Sequence, residues 1–208
     1  MQIHEFISES RVNGPGRRAV LWFQGCSLGC RDCWNPQTHA FGVKPDLSTE
    51  EVGRSILTYR DIEGVTFSGG EPFQQAPDLL ELCKYVKARR PRLSLGIFSG
   101  YTIQELTVGR WQYRCSPDKL WHQGTTALFN QIAAHLDFGV FGRFVGAQAS
   151  SDKPLRGSRN QKVVFFTDRY REQDLEPQSC EINLSLDGSE MTVTGFPPSD
   201  LIRSLSAQ

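Results

Sequence analysis

RAVLWFQGCSLGCRDCWNP, Arg18–Pro36, decides how the chain is read. Its first part, Arg18–Gly25, is a short apolar run ending in glycine, the pattern of a strand buried on both faces. Three cysteines follow at once, Cys26, Cys30 and Cys33, and the next is Cys83. Three thiols in a C-x3-C-x2-C loop, placed directly after a buried strand, form a metal-binding pattern that lacks a fourth thiol.

Working outward, strands and helices alternate. STEEVGRSILTYR (Ser48–Arg60) opens with Ser48 as N-cap and Glu51 three positions on, a capping box. GVTFSGG (Gly64–Gly70) predicts a second strand that stops at a glycine pair. APDLLELCKYVKARR (Ala76–Arg90) predicts an amphipathic helix with Cys83 on its apolar face, a buried structural thiol. LSLGIFSGY (Leu93–Tyr101) predicts a third strand. Such alternation implies right-handed βαβ units and a parallel sheet, which binds ligands at the carboxyl ends of its strands. The cysteine loop and SGGEP (Ser68–Pro72) both follow predicted strands, so they are expected at one rim. Beyond this core, Thr107–Ala127 reads as an insertion and Thr126–Asp137 as a helix. Phe138–Val145 and Lys162–Asp168 read as strands. Glu181–Phe196 reads as a hairpin turning at Asp187-Gly188, and Ser199–Leu205 as a short helix.

Composition bounds the function. The chain has 208 residues, 38% hydrophobic and 22% charged, with zero formal net charge. This is globular composition with no basic excess to advertise nucleic acid. The first residues, MQIHEFISES, lack the basic and apolar regions of a signal peptide. No run approaches the ~20 apolar residues of a membrane span. A cytoplasmic protein with reduced thiols is expected.

A structural zinc site closes four ligands. His39 is the available fourth, at an unusual spacing. The same loop suits a [4Fe–4S] cube held by three thiolates, one iron being left open to a ligand. Cys115 and Cys180 are isolated, and the four histidines lack metal-pair spacing. SGGEP adds glycines that allow close backbone approach and a carboxylate, Glu71, suited to a cationic amino group.

Cys26, Cys30 and Cys33 followed by Ser68-Gly69-Gly70-Glu71-Pro72 resemble the radical S-adenosylmethionine superfamily. More narrowly, the chain resembles the activating proteins of anaerobic ribonucleotide reductase. VNGPGRR (Val12–Arg18), NPQTH (Asn35–His39), SGYTIQEL (Ser99–Leu106) and GRFV with LRGSRNQ (Gly142–Val145, Leu155–Gln161) match in the same order. The resemblance spans about residues 1–167.

The resemblance implies an α/β fold, an incomplete (βα) barrel. Residues 168–208 would be a C-terminal extension, a β-hairpin plus short helix packed on the same domain. It implies an oxidoreductase in which the three cysteines hold a [4Fe–4S] cluster and S-adenosylmethionine fills the open iron. Reductive cleavage to a 5′-deoxyadenosyl radical would lead to hydrogen abstraction from a glycine of a partner glycyl-radical enzyme. Flavodoxin or ferredoxin would donate the electron. Ser68, Gly69, Gly70, Glu71, Ser99, Trp34 and Asn35 are the expected S-adenosylmethionine contacts. Asn13, Gly14, Gly16 and Arg17 could contact the partner, close the site or simply form a turn; Arg156, Arg159 and Asn160 could shape the site, receive the partner or lie in a solvated loop. One departure is Asp32, where many superfamily members place an aromatic residue before the third cysteine; Trp34, just after it, could stack in its place or lie in the core. Two alternatives stay open: a radical enzyme acting directly on a peptide, nucleoside or small molecule, and a non-catalytic iron–sulfur electron carrier.

Overall fold

The computed structural model describes residues 1–114, 120–150, 152–184 and 191–197, with the backbone alone at 183 and 184. The chain forms a mixed α/β structure around a six-stranded sheet. Its strands are β1 (Ile3–Ser10), β2 (Arg18–Phe23), β3 (Gly64–Gly69), β4 (Ser94–Ser99), β7 (Phe138–Phe141) and β8 (Lys162–Phe165). Their spatial order is β1-β2-β3-β4-β7-β8. The four central strands are parallel, and β1 and β8 close the edges antiparallel. The helices are α1 (Thr49–Thr58), α2 (Ala76–Arg89), α3 (Ile103–Thr107) and α4 (Thr126–Ala133). Two short ribbons stand apart, β5 (Gln112–Arg114) with β6 (Trp121–Gln123), and β9 (Cys180–Leu184) with β10 (Met191–Gly195).

Both faces of the central strands are covered, as a parallel sheet requires. Leu21, Phe23, Val65, Phe67, Leu95 and Ile97 point to one side and pack with Val52 and Ile56 of α1 and Leu79, Leu82 and Val86 of α2. The other face carries Ile7, Val20 and Trp22, which cluster together, and Phe138 and Val140, covered by Leu155, Tyr170 and Leu175 from the chain's last third. The predicted strands and helices from Arg18 to Tyr101 lie within a few residues of their expected bounds. The capping box at Ser48 is formed: its hydroxyl accepts the Glu51 N–H at 3.2 Å, and the Glu51 carboxylate accepts the Ser48 N–H at 2.8 Å.

Apart from the two strands inside the expected insertion, two elements went unpredicted. β1 pairs with β2 through two register shifts, and such irregularity blurs the alternation that would mark it. α3 has only five residues, but Thr102 and Glu105 form a capping box that was there to be read. The expected insertion is the β5–β6 ribbon, and just before it Trp111 enters the core at 2% exposure. The Asp187-Gly188 turn, the helix expected at Ser199–Leu205 and Cys115 lie outside the described residues.

Cys83 is fully buried on α2, and burial pushes its thiol up to about 12. Cys83→Ala is expected to cost about 1 kcal/mol of stability by cavity formation and to leave iron content unchanged. Iron assay beside thermal unfolding checks both.

Candidate iron–sulfur site

β2 and β3 end side by side, and their end loops are stitched together. The Gly70 N–H donates to the Phe23 carbonyl at 2.8 Å, and the Glu71 N–H to the Gly25 carbonyl at 3.0 Å. This contact is why a glycine pair ends β3. Gly69 has φ +92°, and a Cβ at Gly70 would lie 2.4 Å from the Gly25 carbonyl oxygen, a clash with backbone. Beyond Gly25 the cysteine loop closes on itself: the Gly25 N–H reaches the Thr38 carbonyl at 2.7 Å, and the Cys26 N–H the His39 carbonyl at 3.0 Å. Gly70→Ala must push the root of the cysteine loop away. It is expected to cost about 2 kcal/mol, within the range for overpacking, and to reduce iron uptake on reconstitution, read by iron and sulfide assay.

The cysteine loop, the SGGE turn and the end of β4 open on one cavity of about 350 Å³. Cys26, Cys30 and Cys33 are half-buried and line it, as do the expected contacts Ser68, Gly69, Gly70, Glu71, Ser99, Trp34 and Asn35. Burial pushes the Cys26 thiol up to about 12, with the Glu71 charge adding to it, while the Leu28 N–H pulls the other way. Burial also raises Cys33, opposed by the Asn35 N–H, 3.4 Å from its sulfur. Such thiols stay protonated unless a metal ion supplies positive charge, and an N–H aimed at sulfur favours the thiolate once it does. Three half-buried thiols on one loop, each able to take a separate iron, are a donor set that fits a [4Fe–4S] cluster.

Glu71 is wholly buried, and burial lifts it to about 7 against three donors. One oxygen accepts the Phe73 N–H at 2.9 Å and the Ser99 hydroxyl at 3.0 Å, and the other accepts the Gly100 N–H at 2.7 Å. The Ser99 oxygen also accepts the Tyr101 N–H at 3.1 Å. Both side chains thus tie the ends of β3 and β4 together, a role that sequence reasoning did not assign. The Trp34 ring lies 5.0 Å from Phe144 and 5.8 Å, edge-on, from Phe196. Phe196 reaches the cavity from just after β10, and no local pattern placed it there. Asn13 is buried and lines the cavity, donating to the Ser10 and Thr194 hydroxyls at 2.8 Å each. Arg17, at the surface, donates to the Asp61 carbonyl at 3.0 Å and to Glu9 at 3.5 Å. Arg156 pairs with Glu172 at 2.7 Å, and Asn160 donates to the Arg143 carbonyl at 2.8 Å.

Residues 12–164 match the 4Fe–4S single cluster domain family. The anaerobic ribonucleoside-triphosphate reductase-activating protein of Vibrio cholerae is 27% identical over 173 residues, covering 80% of this chain and 99% of that protein. The chain belongs to this family, as a glycyl-radical-enzyme activase of radical S-adenosylmethionine type. Within it, the Salmonella typhi protein of the same description is 30% identical over 118 residues, 54% of this chain and 77% of the relative. The pyruvate formate-lyase-activating enzyme of Clostridium pasteurianum is 42% identical over 91 residues, 40% and 38% of the two chains. A 4Fe–4S cluster is the cofactor that gives the family its description. The β9–β10 ribbon and Phe196 lie beyond the matched residues. No helix among the described residues is long and apolar enough to cross a membrane.

Proposed function

We propose that the activase cleaves S-adenosylmethionine reductively and delivers the radical to a backbone glycine of a protein partner, an anaerobic ribonucleotide reductase. The observation that carries this reading is one cavity shared by three cysteines and a glycine pair at the carboxyl ends of adjacent parallel strands. Cys26, Cys30 and Cys33 would each hold an iron. Bound there, the cluster would supply the one electron needed for reductive cleavage of S-adenosylmethionine. The protein's part is binding, orientation and exclusion of water. Ser68, Gly69, Gly70 and Glu71 receive the methionine end. Ser99 and Asn35 flank it, and Trp34 walls the cavity with Phe144 and Phe196. The Glu71 carboxylate already has three donors, so the backbone carbonyls of this stretch would be the freer acceptors for the methionine amino group. We further infer an incomplete (βα) barrel, with residues 168–208 an extension of the same domain, a flavodoxin or ferredoxin electron donor, and a cytoplasmic location.

The test has two steps. Reconstituted protein is incubated anaerobically with dithionite and S-adenosylmethionine, and 5′-deoxyadenosine is expected. Its absence would leave a plain electron carrier standing. The purified reductase is then added, and a glycyl-radical signal on it by electron paramagnetic resonance is expected. Nucleoside formation with no such signal would turn the reading to a substrate modified directly.

A further inference from the structure

Gln74 is wholly buried, on the short 3-10 turn Pro72–Gln75 that follows SGGE. Its Oε1 accepts the N–H of Ser27, the residue after Cys26, at 2.9 Å. Its Nε2 donates to the Ser27 hydroxyl at 2.7 Å and to the Tyr101 hydroxyl at 3.1 Å. From Tyr101 the chain of bonds runs on: its main-chain N–H reaches the Ser99 hydroxyl, which donates to Glu71, which accepts the Gly100 N–H. One side-chain amide thus joins the loops that leave β2, β3 and β4 at the same rim. Gln74 does not line the cavity, whereas Cys26, Glu71, Ser99 and Gly100 do.

Packing alone does not call for an amide there. A leucine would fill similar volume with no polar atoms to satisfy. The amide is kept at a buried position with its oxygen and both its hydrogens engaged, a network whose worth lies in the one geometry it specifies. We propose that Gln74 is a positioning residue for the cysteine loop. It holds Cys26, through Ser27, at a set place against the Glu71–Gly100 rim, so that iron and its ligand meet in register. This rests on the reading above that Cys26 holds iron.

The neighbouring Gln75 supplies a control. It too is buried, accepting the Gln2 N–H at 2.7 Å and donating to the Gln2 and Gln24 carbonyls. It ties the residue before β1 to the residue after β2, and its bonds reach no residue between Cys26 and Cys33. The reconstituted full chain is challenged with an iron chelator, and iron loss is followed by absorbance, with thermal unfolding in parallel. Gln74→Leu is expected to lose iron at least about tenfold faster than the parent, within the ~10–100-fold range for residues that orient metal ligands. It should also lose the change in the reduced cluster's paramagnetic spectrum caused by adding S-adenosylmethionine. Gln74→Glu should restore most of the retention, because a carboxylate can accept from the Ser27 N–H and from both hydroxyls. Gln75→Leu should lower the unfolding temperature while keeping iron. Parent-like retention by Gln74→Leu, or equal loss by Gln75→Leu, would overturn the proposal. Should Gln74→Leu fail to fold, Tyr101→Phe removes one hydroxyl and should move retention the same way by less; no movement overturns it. A parent that holds iron but forms no 5′-deoxyadenosine sinks the functional reading, while the Gln74 comparison still stands on iron retention.

Discussion

Replacing any one of Cys26, Cys30 or Cys33 by alanine is expected to strip the protein of its cluster. With three protein ligands there is no spare. The remaining pair of thiols, raised by burial where Cys26 or Cys33 remains, gains too little from metal to stay deprotonated. Iron and sulfide should fall to background after reconstitution. Formation of 5′-deoxyadenosine should drop by more than the ~10–100-fold that follows loss of a mere second-layer partner. The thermal unfolding of the metal-free chain should barely move, since all three cysteines are half-buried in a loop and outside the hydrophobic core. Full iron and sulfide in all three single variants would end the ligand assignment, and with it the proposed chemistry. A loss at only one or two positions would move the site to another donor.

The second large effect concerns stability, at the opposite end of the same strands. Arg18 is completely buried at the start of β2. Its guanidinium donates to the Thr66 hydroxyl at 2.7 Å and to the carbonyls of Pro15 at 3.0 Å and Val65 at 2.9 Å. It also reaches the Ser94 hydroxyl at 3.2 Å and lies 4.9 Å over the Phe138 ring. Burial lowers its pKa, while Tyr170, Glu63 and Asp137 support the charge. Room for it is made by Gly64, where a Cβ would sit 2.5 Å from the guanidinium. Arg18→Met keeps the stem and removes every donor. Relief from burying a charge opposes the loss. Yet several buried acceptors are orphaned at about 1–3 kcal/mol each, so the acceptors win. A net loss of about 3 kcal/mol is expected, or roughly 8 °C in unfolding temperature for a chain of this size. Differential scanning calorimetry of the metal-free protein reads it. An unchanged transition would mean that Arg18 is merely tolerated there, its desolvation cost cancelling its bonds.

Sequence patterns reached some of this and stopped at identifiable points. The capping box at Ser48, the apolar stripe of α2 and the buried runs of β2 to β4 are short-range signals, and the structure keeps them nearly residue for residue. The shared rim of the cysteine loop and SGGEP followed from strand direction, since both loops leave the carboxyl ends of parallel strands. The glycine pair also has a duty that no local pattern showed: it lets the end of β3 lie against the Gly25 carbonyl. Glu71 was read only as suited to a cationic amino group, because its three donors come from Phe73, Ser99 and Gly100, two of them at the end of another strand. Arg18 looked like the edge of an apolar run, with nothing local to say that it would be enclosed. Gln74 and Phe196 were unremarked, each owing its place to contacts far along the chain.

The order of residues by itself determined the α/β alternation, the parallel centre of the sheet, the three-thiol loop and the family, because these depend on periodicity, turn chemistry and spacing within a few residues. The tertiary structure alone decided which side chains line the cavity and which are already engaged. Burial, orphaned acceptors and hydrogen-bond partners are properties of chain segments brought together from afar, and no local pattern encodes them.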